Sequence, residues 1–496
     1  MCARCARIAT RSAAFAVALV LCGFAAAAEA DAAALLTEIR RLADRIDKLE
    51  RNRDRDERLE SAQATDARVK ALEAAPAQNE WSLASNGISE QEPDLVTRLK
   101  AVEAESLDRP KQTTLFEAVA GVELGASLTG VVQQVNPGGA AEGERDSRAN
   151  YRGDVTITLP GGSIGDVEGK IFTHLRFGQG RGVTLRPTFI STPNTTAFQA
   201  AAGPSDAYAI VAEAWYQLTV PLPLGGFKPQ SHDRIEITAG KMDPFVFFDQ
   251  NAAADDETVR FMNNAFVHNP LLDSGGDIGA DKYGFTPGVR IAYVSETDMP
   301  DSWGVSLGVF GSGPSADFTG SLGDPFIIAQ LETTRRFFAG QPGTYRVYAW
   351  RNGRAADFAD ATERHSGWGV SADQHVGDAV TLFTRFGSEL HGNVRFDRAL
   401  TAGAEFGGAH WGRAVDGLGI AAAFLRTGNA YRDATANGTL AGYAASGTER
   451  TVELYYRFHV NDHFDVTPDV QWIQRPGGDG SAPHVFVGGV RARVGF

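Results

Sequence analysis

The stretch VFVGGVRARVGF, residues 485–496, alternates between apolar side chains and small or charged ones. The apolar parity contains Phe486, Val490, Ala492, Val494 and Phe496, and the other parity contains Gly489, Arg491 and Arg493. Successive side chains on a strand point to opposite faces, so the stretch predicts a strand with one apolar face and one cationic face. A soluble sandwich shows the same alternation. A last strand that ends in an aromatic residue, in a chain with an export signal, is more typical of an outer-membrane barrel.

Similar strand-like runs fill the chain from about residue 115 onward and are separated by polar, glycine-rich breaks. The alternation is clear at residues 171–177, 234–241, 289–293 and 451–460. Period two alone does not tell whether the apolar face turns inward to a core or outward to lipid. The export signal and the terminal aromatic residue favour the outward choice, with a polar, water-filled interior. The region is long enough for about 16 strands, which lies within the known range of such barrels.

The first 30 residues are predicted to be a secretory signal peptide. A positively charged region with Arg4, Arg7 and Arg11 precedes an apolar stretch at residues 13–27. One alternative is a membrane anchor helix, for which the apolar stretch is short. Another is a lipoprotein signal at Cys22, which a bulky preceding residue disfavours. All three cysteines lie within this segment, so we expect a mature chain without disulfides.

Residues 31–110 differ in composition from the strand-like region and are predicted to form a periplasmic helical segment and linker. An a/d pattern with spacings of four, three, four and three runs through Leu35, Ile39, Leu42, Ile46 and Leu49. This pattern indicates a short α-helical coiled coil within residues 31–75 that joins several subunits. The alternative is a single amphipathic helix packed on another surface, because the pattern is shorter than the three or four heptads that identify a coiled coil.

Composition limits the class of protein and its partners. The formal net charge is −14, and no basic stretch offsets it, so we expect no nucleic-acid partner. The 55 glycines suit a protein with many tight turns and closely paired strands. We therefore predict an all-β fold, a transmembrane antiparallel β-barrel over residues 111–496, preceded by the short coiled coil.

Two parts of the chain resemble the carbohydrate-selective porins of the OprB family. The first is GKMDPF at residues 240–245 with the Asn- and Asp-rich stretch that follows it, as far as Asn269 and Pro270. The second is the C-terminal region, with ELYYR at 453–457, TPDVQWI at 467–473 and RPGG at 475–478. The resemblance covers residues 120–496 approximately. It implies a passive, substrate-selective channel of about 16 strands in the Gram-negative outer membrane, with sugars as solutes.

A pore for polar solutes needs charged and hydrogen-bonding groups that face the lumen. Strand parity suggests pore-lining residues of both charge signs together with one aromatic residue: Arg176, Glu236, Lys241, Arg290, Glu453, Tyr455, Arg457, Arg491 and Arg493. The alternative is that most inward arginines pair with neighbouring carboxylates and only brace the wall.

The acidic stretch after residue 248 is a second candidate region. Its polar residues of interest are Asp249, Asn251, Asp255, Asp256 and Glu257. It is predicted either to fold into the pore and bind solute, to bind a divalent cation, or to be a solvated or wall-packed acidic loop. The spacing lacks the glycine and the alternating ligands of a calcium loop, so we expect no metal site.

The sequence therefore predicts a porin that is not an enzyme and needs no cofactor. Small solutes, outer-membrane lipid and further copies of the chain are the expected partners, with a trimer as the expected oligomer. Two other functions stay open. One is a barrel with a structural role that tethers the envelope, and the other is a barrel hydrolase, for which no Ser–His pairing can be chosen from the sequence.

Overall fold

The computed structural model describes residues 121–190, 192–202, 207–223, 232–273, 282–297, 301–313, 322–338 and 340–496. The predicted signal peptide and helical segment, residues 1–110, lie outside the described residues. Within the described part, the chain forms one closed barrel of 16 strands in which each strand pairs with its neighbours in sequence order. All strand pairs are antiparallel, including the pair of first and last strands that closes the barrel. The predicted architecture and strand number of the barrel are confirmed.

The strands are β1 (Glu123–Val135), β2 (Asp146–Ile164), β3 (Val167–Gly180), β4 (Tyr208–Leu222), β5 (Asp233–Met242), β6 (Thr286–Ser295), β7 (Ser302–Phe310), β8 (Phe326–Arg336), β9 (Pro342–Ala356), β10 (Thr362–His375), β11 (Val380–His391), β12 (Phe396–Gly407), β13 (Gly417–Thr427), β14 (Thr448–Asn461), β15 (Phe464–Gln474) and β16 (Val485–Gly495). Two short helices, α1 (Asn264–Val267) and α2 (Asn429–Thr435), lie in connections. No helix among these residues is long and apolar enough to cross a membrane.

The C-terminal stretch closes the barrel. In the β1–β16 register, Val131 is opposite Arg491 and Leu128 is opposite Val494. Beyond the last strand, the Phe496 amide donates to the Ala126 carbonyl at 2.8 Å, and the reverse bond measures 3.1 Å. Closure leaves no strand edge with unpaired backbone groups, which is the condition for a sheet to stand in lipid.

The two faces of the sheet differ in the way that the alternation predicts. The outward face exposes apolar side chains such as Val132, Ile291 and Leu454, with fractional exposures of 60%, 50% and 44%. The inward face carries polar and charged groups that are buried, among them Arg152 and Gln471. The apolar parity therefore points away from the barrel interior, as a lipid-facing wall requires.

The two ends of the barrel differ in the length of their connections. At one end the chain turns within a few residues, as between β2 and β3 or between β14 and β15. The other end carries the long connections, residues 181–207, 243–285 and 428–447. Outer-membrane barrels have short periplasmic turns and longer extracellular loops, so the end with the long connections corresponds to the extracellular side.

The outward face gives a stability prediction. Ile291 lies in the middle of β6, so Ile291→Arg should lower the free energy of unfolding in lipid vesicles by about 2–4 kcal/mol, the cost of a guanidinium at mid-bilayer depth. Ile164→Arg, at the periplasmic end of β2 where the side chain is 87% exposed, should cost about 0–1 kcal/mol. Denaturant titration followed by tryptophan fluorescence measures both. Equal costs would argue against the outward face contacting lipid.

Candidate functional site

The connection between β5 and β6 folds into the barrel. We call residues 243–273 the inner loop. It begins with a 3-10 turn, Pro244–Val246, whose N-cap Asp243 accepts a hydrogen bond from the Phe245 amide at 2.9 Å. Further along, Asn263 caps α1 by accepting from the Ala265 amide at 2.9 Å. These caps satisfy backbone donors that would otherwise be unpaired inside the protein.

Aromatic packing holds one side of the inner loop against the wall. Phe261 contacts Tyr455 of β14 and Phe383 of β11, with ring centroids 4.9 Å and 5.5 Å away. Phe248 meets Phe310 of β7 edge-on at 6.0 Å. Both loop side chains are 1% exposed, and burial of each such side chain is worth about 1.5–3 kcal/mol. The barrel interior thus contains an apolar core although most of its wall is polar.

A buried ion pair lies at the centre of this contact. Arg385 of β11 donates from Nε to Asp249 Oδ1 at 3.2 Å, and both side chains are fully buried. The other donors of Arg385 reach the Asp249 carbonyl at 2.9 Å and the Phe266 carbonyl at 2.7 Å. Asp249 also accepts from Tyr348 Oη and the Asn269 amide, each at 2.6 Å. Because both charges are hydrogen-bonded on several sides, their burial is compensated.

Small residues of the wall allow the loop to approach closely. A Cβ atom added to Gly369 or to Gly387 would lie 2.7 Å or 2.6 Å from the side-chain amide of Asn269. A Cβ atom at Gly419 would lie 2.1 Å from the ring of Tyr455. These glycines of β10, β11 and β13 therefore leave space that the inner loop and its aromatic partners fill.

Two wall residues bind the loop backbone with opposite polarity. Arg491 of β16 donates to the carbonyls of Glu257, Val259 and Arg260 at 2.9, 2.6 and 2.6 Å. Glu453 of β14 accepts from the amides of Met262 and Asn263 at 2.6 and 3.0 Å. The loop forms neither a strand nor a helix at this point. The guanidinium and the carboxylate therefore bind the backbone groups that a strand or helix would otherwise pair.

A charged cluster on β2 and β3 faces the same loop. Arg152 pairs with Glu257 of the inner loop and, through Nε, with Asp154 Oδ2 at 2.9 Å. Asp154 Oδ1 also accepts a hydrogen bond from Arg176 Nε at 2.6 Å and lies 2.8 Å from His174 Nε2. Burial alone would raise the pKa of Glu257, but the charges of Arg152 and Arg176 outweigh it and lower that pKa to about 2. Glu257 is therefore ionised at neutral pH.

Asp255 and His268 of the inner loop have shifted pKa values. Removal from water raises the pKa of Asp255 to about 7, although the charge of Arg385 opposes the shift. The Asp255 side chain is still 33% exposed, with Oδ1 3.6 Å from Arg385 Nη2. His268 stacks on Phe245 and lies 2.9 Å from Asp273 Oδ2. Burial would lower the pKa of His268, but the hydrogen bond and charge of Asp273 raise it to about 9.

The connection between β3 and β4 also enters the barrel and contacts the inner loop. The Pro193 carbonyl accepts from Gln133 Nε2 of β1 at 3.1 Å and from Gln471 Nε2 of β15 at 2.8 Å. The Thr195 amide donates to the Met262 carbonyl at 2.9 Å. Two connections together therefore fill the part of the lumen next to β1 and β15.

Several predicted pore-lining residues face the lumen but are paired. Arg290 of β6 donates to Glu236 Oε2 at 3.0 Å, and the Arg290 guanidinium lies 4.9 Å from the Phe247 ring centroid. Arg457 Nη2 lies 3.8 Å from Glu405 Oε1. Together with the pair of Arg176 and Asp154, these contacts agree with the alternative that inward arginines brace the wall.

Other predicted residues lie under the inner loop, where they contact protein. Arg491 and Glu453 bind the loop backbone, and the Tyr455 ring packs on Phe261 with 1% exposure of the residue. Arg493 shares the inward parity of Arg491 and is opposite Thr129 and Asp465 in the sheet. Parity gave the inward direction of these residues, but it carried no information on the loop that covers Arg491, Glu453 and Tyr455.

The predicted lumen position of Lys241 is wrong. Lys241 shares the parity of Ile235 and Ile237, opposite to that of Glu236, and therefore lies on the outward face of β5. Its Nζ atom lies 5.7 Å from the ring centroid of Phe285. A lysine near a strand end extends its ammonium group toward the membrane interface along an apolar stem.

The predicted acidic stretch is mostly packed against the wall. Asn251 donates from Nδ2 to the Ala372 carbonyl at 3.2 Å, and Asp256 Oδ1 accepts from the Thr258 amide at 2.8 Å. Asp249 and Glu257 are bound to arginines, and 33% of the Asp255 side chain remains exposed. The stretch folds into the barrel and packs on the wall, and the binding of solute by its side chains stays a prediction.

Several charged residues of the site were not predicted from the sequence. They include Arg152, Asp154, His174, Glu213 and Arg385. A signal was present for Arg385, because Phe383, Arg385 and Gly387 alternate with Leu382, Thr384 and Phe386 on β11. Two more charges are partly exposed, with 25% exposure for Arg260 on the inner loop and 36% for Glu332 on β8.

A closed antiparallel barrel with an apolar outer face, and a polar lumen narrowed by an inward-folded connection, has the architecture of a porin. A family model described as carbohydrate-selective porin, OprB family, matches residues 173–496. The chain belongs to the OprB family of carbohydrate-selective porins.

Individual relatives agree with this assignment. Porin B of Pseudomonas aeruginosa is 28% identical over 278 residues, which are 48% of this chain and 60% of that protein. The chain thus spans about 60% of the length of the curated relative that it matches. A high-pH structure of Pseudomonas putida OprB superposes with a TM-score of 0.62 at 18% identity, covering 76% of this chain and 94% of that one. This structural likeness supports the fold.

The buried pair gives a test of the loop anchor. Arg385→Met removes one partner and leaves the Asp249 carboxylate in a closed site, so the free energy of unfolding should fall by about 3–5 kcal/mol. The control Arg148→Met removes a guanidinium that is 51% exposed and pairs with Asp146, and should cost about 0–1 kcal/mol. Denaturant titration in detergent measures both. A cost near that of the control would show that the pair does not hold the loop.

Asp255 gives a pH test. As pH rises through about 7, the side chain loses its proton and adds negative charge to the lumen, so cation selectivity should increase. The pKa in the folded protein exceeds the ordinary 3.8, so this group's contribution to stability is full below about 4 and is lost as pH rises through about 7.

Reversal potentials in planar bilayers at pH 5.5 and 8.5 measure the selectivity change. Asp255→Asn should reduce the change, whereas Asp462→Asn should leave it intact, because Asp462 is 98% exposed in the β14–β15 turn. A full pH response in the Asp255 variant would assign the response to other groups.

Proposed function

We propose that the protein is a passive, substrate-selective diffusion channel of the outer membrane, with carbohydrates as solutes. The observation that carries the proposal is the inner loop, fixed inside the lumen by the Arg385–Asp249 pair and by Arg491. A barrel with only a structural role has no need of a connection anchored across its interior. Family membership adds that related chains are described as carbohydrate-selective.

The chemistry of the partly exposed charges suits a neutral, hydroxyl-rich solute. Arg260 on the inner loop donates to Glu405 Oε2 at 2.8 Å, and 25% of its side chain is exposed. Asp255 supplies an acceptor, and Glu332 of β8 another, with 33% and 36% exposure. A sugar can exchange its water for such donors and acceptors, while charges of both signs within one section limit the preference for ions of either sign.

The anchoring contacts also suit a selective channel. Solute-facing groups discriminate well when their positions are fixed before the solute arrives. Arg260 and Asp255 belong to a loop whose backbone is bound by Arg491 and whose neighbouring phenyl groups are buried. We infer that the loop acts as a rigid selectivity element, without a gating motion.

Location and assembly complete the proposal. The barrel stands in the outer membrane. We propose that residues 31–110, which lie outside the described residues, are periplasmic, and that a coiled coil within residues 31–75 joins copies of the chain. A homotrimer is the expected assembly. An envelope-tethering role of the same segment is a second function, and it is compatible with an open channel. No residue pair of the described site favours the hydrolase alternative.

Electrical recording tests the channel. In planar bilayers the protein should give stepwise conductance that falls when millimolar sugar is added, because bound sugar blocks the ion path. Arg260→Gln should weaken the block several-fold, whereas Arg148→Gln, at the start of β2 on the extracellular rim of the barrel, should leave it unchanged. Swelling of proteoliposomes in sugars, amino acids and phosphate identifies the solute class. A protein without conductance would overturn the channel, and conductance without sugar block would overturn carbohydrate selectivity.

A further inference from the structure

Three arginines stand on the outward face of the barrel at its extracellular end. Arg398 of β12, Arg426 of β13 and Arg450 of β14 each lie within three residues of the strand end that carries the long connections. Each has the parity of the outward apolar residues of its own strand, Leu400, Phe424 and Leu454. We call these three residues the arginine triad.

The triad is a concentrated positive charge. Arg398 and Arg426 are direct partners in the β12–β13 register. Arg450 is opposite Phe424, so it is the diagonal neighbour of Arg426. Directly opposed side chains are about 5 Å apart at Cβ, and diagonal ones about 7–8 Å. Like charges at such distances repel, so the arrangement is unfavourable without an anion.

Acidic side chains of the protein neutralise only part of this positive charge. Asp397 at the β12 bulge binds Arg426 with both carboxylate oxygens, one at 2.7 Å. Arg450 donates to the neutral Gln474 Oε1 at 3.2 Å. In the described part of the chain, the Asp397 pair is the one ion pair of the triad, which leaves a net charge of about +2. The excess positive charge faces outward in a chain whose formal net charge is −14.

The surroundings select an amphiphilic anion. Immediately toward the membrane from the triad lie Leu400, Phe424 and Leu454, with exposures of 41%, 42% and 44%. A ligand that fits both features carries anionic groups directly above acyl chains. Nearer β1, the outward positions toward the same end of β1, β2 and β3 hold the uncharged Val132, Tyr151 and Phe177. An uncharged surface therefore bounds the triad on this side.

We propose that the arginine triad binds the phosphate groups of the phosphorylated glycolipid of the outer leaflet. Guanidinium groups form paired hydrogen bonds with phosphate oxygens and are weakly hydrated, which suits them to a membrane interface. A phosphate between Arg398 and Arg426 removes their repulsion, and Arg450 reaches the same headgroup from the next strand. The inference rests on the outer-membrane placement and is independent of the solute that the channel carries.

The test is a binding titration with the full chain in detergent. Purified lipopolysaccharide is compared with the same material after enzymatic removal of its phosphates. The double variant Arg398→Gln/Arg450→Gln is compared with Arg145→Gln/Arg148→Gln, which removes the same charge from exposed residues at the same end of the barrel. Heat-modifiable gel mobility and unitary conductance verify that each variant has a folded, open barrel.

The triad variant should bind lipopolysaccharide about tenfold more weakly than the parent chain, as expected from the loss of two charge-assisted contacts. The affinity of the control variant should stay within about twofold of that of the parent chain. For the dephosphorylated lipid, the parent chain and the triad variant should have similar affinities. Three results would overturn the proposal: unchanged affinity of the triad variant, an equal loss in the control, or an equal loss with the dephosphorylated lipid. Because conductance is recorded separately, failure here leaves the channel proposal unaffected.

Discussion

Closure of the sheet between β1 and β16 is the constraint on which the rest of the molecule depends. In hydrocarbon, an unpaired amide or carbonyl costs several kcal/mol, so a sheet can stand there only as a closed cylinder. In a closed wall surrounded by lipid, the apolar parity of each strand faces outward, so the other parity, which includes Arg385 and Arg491, faces inward. The same condition creates an interior that is too wide for the wall side chains alone to fill. The inner loop occupies that space.

The inner loop is stable inside the barrel because the wall offers partners for its apolar and its polar groups. Its phenyl groups find aromatic partners, and its backbone groups find Arg491, Glu453 and Arg385. Partly exposed charges on and beside the loop include Asp255, Arg260 and Glu332. The inward charges thus have several roles: some hold the loop, as Arg385 and Arg491 do, others pair within the wall, and a few are partly exposed to the lumen.

Sequence patterns predicted the wall well and the site only in part. Alternation within a strand depends on neighbours two residues apart, so the outward positions of Leu454 and Val490 and the inward positions of Arg176 and Arg491 could be derived directly. The strand number followed from length. The pairing of Arg385 with Asp249 joins residues 136 positions apart, and no local pattern specifies it. For the same reason Tyr455 was expected to face solute, whereas it packs on a phenyl group from a distant connection. The error at Lys241 had a local cause, because its parity is readable from Ile235 and Ile237.

The positions of the anchors along the chain have a consequence for biogenesis. Met262 and Asn263 bind β14, Asn263 also binds β15, and the carbonyls of residues 257, 259 and 260 bind β16. These strands are the last to be synthesised, so the loop can reach its final position only after the C-terminal strands have formed. Final positioning of the inner loop is therefore coupled to closure of the barrel. A truncated or stalled chain has neither a sealed wall nor a defined filter.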